Sequence, residues 1–423
     1  MNNSVTILLF LAIVIVQIAG VDSTITLPTS TTVSTMPIVM APTTTNTTPL
    51  FVANFTATPP TGVVPLPVSF TATSTGIPVG WEWFFGEKNY NQVWNEQTAS
   101  ANWTKRDGFC SVVMPDGSIV LMGGEVAASG SNAFRNDTWR STDEGATWTL
   151  VNVSAGWQPR SDFSCVVMPN GDIVIMGGFA NLNDIWRSTD EGAHWTLLNA
   201  SSGWSGRWGH SSFVMPDGSI VLMGGGYYPY GRYCNDTWRS TDEGAHWTLL
   251  NASSGWSARR NFAAVLMPDG NIIMMGGRDN SSIGDENDTW RSTDDGATWT
   301  LVNTSSGWID RYSHFSVSMP DGSIVLMGGY SRSSGNYLND TWRSTDDGAT
   351  WTEINKSSGW SVRYAQSSVA MPDGSIVLMG GYNYNGNTDN YLNDTWRFQP
   401  GAHRPFWYLL PEWSSMGRDR GAR

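Results

Sequence analysis

Apolar and polar positions repeat with a fixed period along most of the chain. The unit at 215–256 reads MPDGSIVLMGG, then a nine-residue variable insert, then NDTWRSTDEGAHWTLLNASSGW. Its opening turn recurs six times, 47 to 54 residues apart, beginning at Met114, Met168, Met215, Met267, Met319 and Met371. A period of this length indicates a protein built from repeated supersecondary units.

Each unit predicts four β-strands. The first, HSSFVM (210–215), carries small residues that suit a crowded central channel, and the second, GSIVLMGG, is an apolar run typical of a strand covered on both faces. NDTWRST and ATWTLVN supply the third and fourth strands, and Pro-Asp-Gly closes the first hairpin because glycine tolerates positive φ. The chain is therefore predicted to be all-β, with a six-bladed β-propeller of four-stranded blades.

The two ends of the repeat region predict how the ring closes. WNEQTASANW (94–103) has the spacing of a fourth strand and its exit loop, but it precedes any first strand. The sixth unit lacks a fourth strand, since NDTWR (393–397) runs into FQPGAHRPFWYLL. We expect residues near 94–99 to pair with 393–397, which removes the open edge of a linear array.

The remaining segments predict a modular, exported protein. Residues 5–21 are an apolar run behind MNNS, so residues 1–21 are either a signal peptide or an N-terminal membrane anchor. Residues 22–50, rich in Thr, Ser and Pro, predict an extended stalk, and the alternating pattern of 51–90 predicts short strands. The propeller is assigned to 91–413 and a more basic tail to 414–423.

Three stretches resemble known families. FTATPPTGVVPLPVSFTATSTG and the segment Trp81–Gly86 are similar to the first half of a PKD domain of archaeal and bacterial surface proteins, and the likeness ends after Gly86. Gly-Gly followed by NDxW, with an Arg opening the next unit, resembles a kelch repeat. S-x-D-x-G-x-x-W, present five times, resembles the Asp-box of sialidase-type propellers. That resemblance implies a structural turn, with main-chain N–H groups donating to Asp143, Asp190, Asp242, Asp294 and Asp346.

Charge and cysteine usage exclude some functions. The net charge is −13 with only 14% charged residues, which argues against a nucleic-acid partner. Cys110 and Cys165 lie one residue out of step in two successive repeats, so we expect them on opposite strand faces without a disulfide, and Cys234 is the third cysteine. No CxxC or Cys/His cluster is present, and neither a metal site nor a cofactor is predicted.

The Arg that opens each blade has two interpretations. The series could form an anion-binding ring at the channel mouth, which makes Arg207, Arg311 and Arg363 candidate ligand contacts. The favoured alternative is an ion pair with the Asp of an NDTW segment. The series comprises Arg106, Arg160, Arg207, Arg259 or Arg260, Arg311 and Arg363.

The inserts between Gly-Gly and Asn-Asp differ while their surroundings are copied. Exposed Tyr with Asn and Gly suits contact with sugars or protein surfaces, although unconstrained drift would also diversify such inserts. The candidate ligand-binding tyrosines are Tyr227, Tyr228, Tyr230, Tyr233, Tyr330, Tyr337, Tyr382, Tyr384 and Tyr391. Fourteen sequons follow the apolar run, with glycosylation candidates in the NDT segments at Asn136, Asn235, Asn287, Asn339 and Asn393.

These observations favour a non-catalytic binding or adhesion protein that is secreted or displayed on a cell surface. It would bind a glycan or a surface protein through the inserts, with membrane anchoring through 5–21 as an option and the oligomeric state open. A sialidase-like glycosidase is an alternative, but near-identical blades offer no obvious catalytic convergence, and the sequence does not bring Glu125, Asp279 and Asp310 together. A copper oxidase lacks a ligand cluster, since His194 and His246 fall inside the Asp-boxes. A purely architectural envelope role is the third alternative.

Overall fold

The computed structural model divides the chain into two compact units, Met1–Asn89 and Tyr90–Arg423. It describes residues 93–128, 133–227, 231–280, 285–384 and 386–399 of the second unit, and five strands of the first. Within this part of the chain the only regular elements are strands, and no helix is long and apolar enough to cross a membrane.

The described strands of the first unit form two small sheets. A three-stranded antiparallel sheet has Leu66–Ala72 between Ser23–Leu27 and Phe55–Thr58, and Val5–Ile7 pairs in parallel with Thr31–Val33. The strands at 55–58 and 66–72 lie where short strands are expected, and those at 23–27 and 31–33 lie in the segment expected to be a stalk. The PKD-like segment Trp81–Gly86 and the tail 414–423 fall outside the described residues.

The second unit is the predicted propeller of six four-stranded antiparallel blades. The strands of each blade are given from the innermost outwards. Blade 1 consists of Cys110–Val113, Ile119–Val126, Phe134–Ser141 and Thr149–Asn152. Blade 2 consists of Ser164–Val167, Ile173–Met176, Ile185–Ser188 and Thr196–Asn199, and blade 3 of Ser211–Val214, Ile220–Met223, Thr237–Ser240 and Thr248–Asn251. Blade 4 is Ala263–Leu266, Ile272–Asp279, Asp285–Ser292 and Thr300–Asn303; blade 5 is Phe315–Ser318, Ile324–Met327, Thr341–Ser344 and Thr352–Asn355; blade 6 is Ser367–Ala370, Ile376–Tyr384, Asp389–Gln399 and Val93–Thr98.

Short strands extend several blades at the end where the inserts lie. Arg106–Asp107 and Arg259–Arg260 pair with the second strands of blades 1 and 4. In blades 3 and 5 the inserts themselves form hairpins, which pair Gly226–Tyr227 with Arg232–Tyr233 and Tyr330–Ser331 with Asn336–Tyr337. These two hairpins are small sheets of their own, next to the sheets of blades 3 and 5. The end of the propeller that carries the inserts is called the insert face.

The predicted closure is confirmed. Val93–Thr98 pairs with the third strand of blade 6, with Trp94 opposite Phe398 and Thr98 opposite Thr395. Ala101 then donates its N–H to the carbonyl oxygen of Asn393 at 2.8 Å. The earliest strand of the repeat region thus completes the last blade, and no blade is left with only three strands.

Six apolar clusters hold neighbouring blades together. The first four residues of the second strand of every blade are fully buried, and one exit-loop Trp, only 1% exposed, lies in each interface. That Trp meets a Trp of the next outer strand edge-on, with ring centroids 6.0–6.3 Å apart. The six exit-loop residues are Trp103, Trp157, Trp204, Trp256, Trp308 and Trp360. This edge-to-face geometry adds to the stabilisation that comes from burial.

The S-x-D-x-G-x-x-W segments form the turns between third and fourth strands. Asp143 accepts the main-chain N–H of Thr147 at 2.8 Å and the hydroxyl of Ser141 at 2.8 Å. The turn also contacts the preceding blade, where Thr395 donates its hydroxyl to the carbonyl of Gly145 at 2.7 Å. The same main-chain acceptance occurs at Asp190, Asp242, Asp294 and Asp346. These carboxylates therefore organise the turn that links adjacent blades.

The expectation for the cysteines is wrong, because Cys110 and Cys165 form a disulfide with their Cα atoms 6.2 Å apart. Two residues on opposite strand faces can form this bond because they belong to different blades. Each blade packs one face of its sheet against the opposite face of the next blade's sheet. Cys110 and Val112 point towards blade 2, and Cys165 points back towards blade 1. The offset of one residue therefore brings the two sulfur atoms into one interface. Cys234 is a buried free thiol.

Candidate functional site

The blade-opening arginines are buried ion-pair partners. Arg207 is 1% exposed and donates to both carboxylate oxygens of Asp236, at 2.7 and 2.9 Å, and to the carbonyl of Gly224 at 2.9 Å. Burial alone would raise the pKa of Asp236, but the hydrogen bonds and charge of Arg207 outweigh it and hold that pKa below its usual value. The six pairs are Arg106–Asp137, Arg160–Asp184, Arg207–Asp236, Arg259–Asp288, Arg311–Asp340 and Arg363–Asp394.

This geometry selects the ion-pair interpretation. Arg311 and Arg363 are fully buried, so these two guanidinium groups and that of Arg207 do not reach a ligand at the channel mouth. It also identifies Arg259 as the blade-opening residue of blade 4 and leaves Arg260 for another role.

The NDT asparagines also have structural hydrogen bonds. Asn339 donates its side-chain amide to the carbonyl of Trp360 at 2.9 Å and to the hydroxyl of Ser357 at 3.2 Å. Asn393 is buried and donates to the carbonyls of Ala101 and Trp103. A glycan on either nitrogen would replace one of these bonds. Corresponding bonds to an exit-loop Trp carbonyl are made by Asn136, Asn235 and Asn287.

A closed ring of main-chain hydrogen bonds surrounds the channel at the insert face. Two residues after each blade-opening arginine, the N–H group donates to the equivalent carbonyl of a neighbouring blade at 2.7–3.0 Å. The six residues, in order around the ring, are Gly108, Asp162, Gly209, Asn261, Ser313 and Ala365. Each donates its N–H to the carbonyl of the residue before it, and Gly108 closes the ring by donating to Ala365. All six have φ between 47° and 62°. The channel therefore narrows here to a ring of backbone.

Directly above this ring, each blade presents two residues that face each other across strands. In each blade, one residue follows the blade-opening arginine and the other follows the Gly-Gly pair. The six pairs of this kind are called the mouth. They are Asp107–Glu125, Ser161–Phe179, Trp208–Gly226, Arg260–Arg278, Tyr312–Tyr330 and Tyr364–Tyr382. Although the frame around them is copied, these positions differ in charge and size. In a ring of six, the acidic pair of blade 1 lies opposite the basic pair of blade 4.

Six tyrosines of blades 5 and 6 form one continuous cluster. Tyr364 lies at its centre, with ring centroids 5.6 Å from Tyr337 and 5.5 Å from Tyr382. Tyr382 contacts Tyr391 at 5.0 Å, and Tyr330 contacts Tyr337 at 4.7 Å. The tyrosine cluster comprises Tyr312, Tyr330, Tyr337, Tyr364, Tyr382 and Tyr391. Burial, followed by neighbouring phenols, raises the pKa of Tyr337 to about 12, so its hydroxyl is protonated at neutral pH.

The structure thus brings together four of the predicted tyrosines, namely Tyr330, Tyr337, Tyr382 and Tyr391. Tyr233 lies apart, under the guanidinium of Arg260 at 5.2 Å, next to the strand of Tyr227. Tyr384 is 46% exposed and donates its hydroxyl to the carbonyl of Gly386. Tyr228 and Tyr230 lie outside the described residues.

The acidic side of the mouth lacks a cationic partner within ion-pair distance in the described chain. Asp107 faces Glu125 across the strands, and Asp162 occupies the adjacent position of the backbone ring. Burial, then the charges of Asp162 and Glu125, raises the pKa of Asp107 well above its usual value. Burial and Asp162 likewise raise the pKa of Glu125, although Tyr391 donates a hydrogen bond to it. These carboxyl groups are held together against their mutual repulsion.

The basic side of the mouth is formed by two arginines, each of which lies over an aromatic ring. The guanidinium of Arg260 lies 3.8 Å from the ring centroid of Trp208, and that of Arg278 lies 5.7 Å from Tyr312. The Nε atoms of Arg260 and Arg278 are buried without a hydrogen-bond partner in the described residues. Cation–π contact therefore orients both groups towards the mouth.

Sequence reasoning missed half of the mouth. Asp107, Trp208, Tyr312 and Tyr364 each follow a blade-opening arginine and are not among the predicted site residues, and Arg260 is predicted only as an alternative blade-opening arginine. The variation at this position from blade to blade was visible in the sequence and would have found them. Of the candidate catalytic carboxylates, Glu125 lies in the mouth, whereas Asp310 accepts a hydrogen bond from Ser333 in blade 5.

Two further residue sets bear on the chemistry. His194 and His246 contact Asp190 and Asp242 in exposed turns, with Nδ1 to Oδ2 distances of 2.6 Å. In the described part of the chain, no group of three or more His, Cys, Asp or Glu residues is placed to hold a metal ion.

Solved structures share the fold at low sequence identity. The structure of YjhT aligns with a TM-score of 0.55 at 14% identity, covering 71% of this chain and 96% of that chain. A fungal alcohol oxidase of the AA5 family, in complex with copper, aligns with a TM-score of 0.53 at 14% identity, covering 73% and 76%. At this identity the likeness concerns the fold alone. No curated protein sequence matches the chain.

The repeats also match a family model in two overlapping segments. Residues 108–329 and 217–412 match the Kelch-repeats domain model named KLHDC2/KLHL20/DRC7, and together they span most of the chain. The matched region contains five complete blades and most of the sixth, including five of the six arginine–aspartate pairs and the backbone ring. The chain therefore belongs to the KLHDC2/KLHL20/DRC7 family of Kelch-repeats domains.

Proposed function

We propose that this protein is a non-catalytic binding protein, exported and secreted or displayed on a cell surface, whose propeller recognises its ligand at the insert face. The observation that carries the proposal is the tyrosine cluster. Tyr312, Tyr364 and their neighbours give a continuous amphipathic surface at the end of a channel, on top of a rigid backbone ring. Tyrosine supplies large contact area with little conformational entropy to lose, which suits glycan or protein recognition.

The distribution of variation supports the same role. The blade cores, turns and ion pairs are built from nearly identical residues in every repeat. The mouth pairs, in contrast, differ among blades 1 to 4 and are Tyr–Tyr in blades 5 and 6. A binding face needs unlike groups at one place, and it needs them on a scaffold that does not move.

An insert exchange within the chain tests this proposal. Blade 2 carries the short insert FANL (179–182), which is compatible with the blade frame. Replacing residues 330–338 and 382–392 of the full chain with FANL should abolish binding in glycan-array and surface-protein screens. Leu197→Glu is a matched control, because blade 5 has Glu353 at the same exposed outer-strand position. Unchanged binding after both exchanges would refute the proposed function.

A glycosidase is the second candidate, and one observation favours it: Glu125 and Asp107 are paired carboxyls with Tyr391 bonded to Glu125. The pKa of Tyr391 is raised, by burial and then by the charges of Asp107 and Glu125, which is the opposite of what an activated phenolate nucleophile requires. Turnover of fluorogenic sialosides or glycosides, lost in Glu125→Gln, would establish this alternative.

A further inference from the structure

Blade 1 is the only blade whose mouth pair is acidic. Asp107 and Glu125 are direct cross-strand partners, and like charges in that relationship repel. Asp162 of blade 2 adds a third carboxyl, because its N–H donates to Gly108, the residue that follows Asp107, at 2.7 Å. Three acids therefore lie near the seam between blades 1 and 2. The carboxylate of Asp162 differs from the other two, because it accepts a hydrogen bond from Asn261 at 3.4 Å and lies within the field of the Arg260 charge.

The carboxyl group of Asp107 is largely buried yet has no partner of opposite charge within ion-pair distance in the described chain. The residue is 9% exposed, no cation lies within ion-pair distance in the described chain, and its hydrogen bond comes from its own main chain. Every blade-opening arginine is already committed to its own aspartate. A carboxyl in these surroundings favours its protonated form, and a bound cation would favour the carboxylate instead.

Aromatic groups flank the acids on the other side. Tyr364 precedes Ala365, whose carbonyl oxygen accepts the N–H of Gly108, so this phenol borders Asp107 at the seam of blades 6 and 1. Tyr391 donates its hydroxyl to Glu125 and packs against Tyr382. Carboxylates that lie next to phenol rings are surroundings in which ammonium and guanidinium groups bind.

From this geometry we infer that Asp107 and Glu125, with Asp162 beside them, form a receptor for a cationic group, a guanidinium or protonated amine, with Tyr364 and Tyr391 as its aromatic wall. The inference rests on the proposed function and names the ligand chemistry at that face. The cation is the side chain of an arginine or lysine in a partner protein segment, whose neighbouring residues would lie on the tyrosine cluster. The arginine pair of blade 4, across the mouth, repels a second cation and so fixes the orientation of such a segment.

Surface plasmon resonance on the immobilised full chain tests the site. The probes are the acetylated and amidated pentapeptide Gly-Gly-Arg-Gly-Gly and its citrulline analogue, which has the same shape without the charge. The arginine peptide should bind at low ionic strength and the citrulline peptide should not. The double variant Asp107→Asn, Glu125→Gln should bind roughly tenfold to hundredfold more weakly, the range expected for lost charge-assisted hydrogen bonds.

Two controls separate this site from general electrostatics and from misfolding. Glu353→Gln removes an exposed acid on the outer strand of blade 5 and should leave binding unchanged. Arg260→Gln with Arg278→Gln removes the two charges that repel a cation at the mouth and should tighten binding. Because it relieves repulsion, the acid double variant should unfold at an equal or higher denaturant concentration. If it unfolds earlier, Glu125→Gln alone replaces it. Equal binding of arginine and citrulline peptides, or full binding by the folded acid variant, would overturn the inference.

Two further comparisons complete the experiment. One identifies the source of the cation, and the other shows whether a negative result contradicts the cation inference alone or the proposed function as well. Ethylguanidinium binding as tightly as the peptide would assign the site to a small free cation, and a clear preference for the peptide would assign it to a protein segment. If the insert exchanges abolish binding to other ligands while the acid variant still binds the arginine peptide, only the cation inference fails. If neither set of changes affects any binding, the proposed function fails as well.

Discussion

Gly108 donates its main-chain N–H to the carbonyl oxygen of Ala365 at 3.0 Å, and this bond closes a ring that joins all six blades. The ring links blade 1 to blade 6 near the channel, whereas Val93–Thr98 closes the propeller at the outer edge of blade 6. Two independent connections therefore tie the first blade to the last. One residue of each mouth pair directly precedes a ring residue, and the other is its cross-strand partner, so main-chain hydrogen bonds position both.

The ring predicts opposite effects for two reciprocal substitutions. Ala365 has φ +52°, a left-handed conformation that costs a residue with a side chain about 1 kcal/mol, whereas Gly108 has φ +57° without that penalty. Ala365→Gly should raise the free energy of unfolding by about 1 kcal/mol, and Gly108→Ala should lower it by about the same amount. Denaturant unfolding measures both, and an effect of the same sign in both variants would contradict the assigned backbone strain.

The buried ion pairs predict a large loss on removal of one partner. Asp340→Asn leaves Arg311 buried without a counter-charge, and we expect a loss of about 3–5 kcal/mol in the free energy of unfolding. Glu191→Gln is the control, because its partner Arg140 is partly exposed and such pairs contribute about 0–1 kcal/mol. Similar losses in the two variants, again from denaturant unfolding, would contradict the structural role assigned to the arginine series.

Two buried histidines predict a loss of stability in mild acid. Burial, then the charge of Arg207, lowers the pKa of His210 to about 3, and burial and Arg311 lower the pKa of His314 well below its usual value. The unfolded chain therefore binds more protons than the folded one below about pH 6.5, so stability falls as pH falls through this range. Each histidine should remove about 2 kcal/mol between pH 7 and pH 5.

Phenylalanine provides the matched replacement, because Phe109, Phe163 and Phe262 occupy the equivalent position in other blades. His210→Phe with His314→Phe should flatten the fall in unfolding free energy between pH 7 and pH 5 by about 4 kcal/mol. An acid dependence identical to that of the unmodified chain would show that these histidines are not held neutral.

The disulfide predicts a stability that depends on reductant. Cys110–Cys165 closes a loop with a sequence separation of 55, for which chain entropy predicts a contribution of about 4 kcal/mol. Unfolding in the presence of a reductant should show this loss, and Cys110→Ala with Cys165→Ala should remove the response. Cys234→Ala should leave it intact. Insensitivity of the unmodified chain to reductant would contradict the bond.

The copied parts of the molecule were predictable because every copy has the same turn residues and the same pattern of apolar positions. Pro-Asp-Gly specifies a turn, the apolar run specifies a covered strand, and the missing fourth strand of blade 6 specifies closure by 94–99. The cysteine prediction failed because it treated one strand in isolation, although the relevant surface is formed by opposite faces of two blades. Pairs such as Arg260–Arg278 were missed for a related reason: only the cross-strand register makes neighbours of two residues that are far apart in sequence.

The central claim is that recognition occurs at the mouth and that the copied frame only supports it. Hydrogen–deuterium exchange of the full chain, with and without a saturating ligand from the glycan, protein or arginine-peptide screens, tests this most directly. We predict slower exchange at 106–108, 124–126, 329–338, 363–365 and 381–392, and unchanged exchange in the outer strands. Protection confined to the outer strands or to the Met-Pro turns at the opposite end, or the absence of any ligand in all three screens, would contradict the claim.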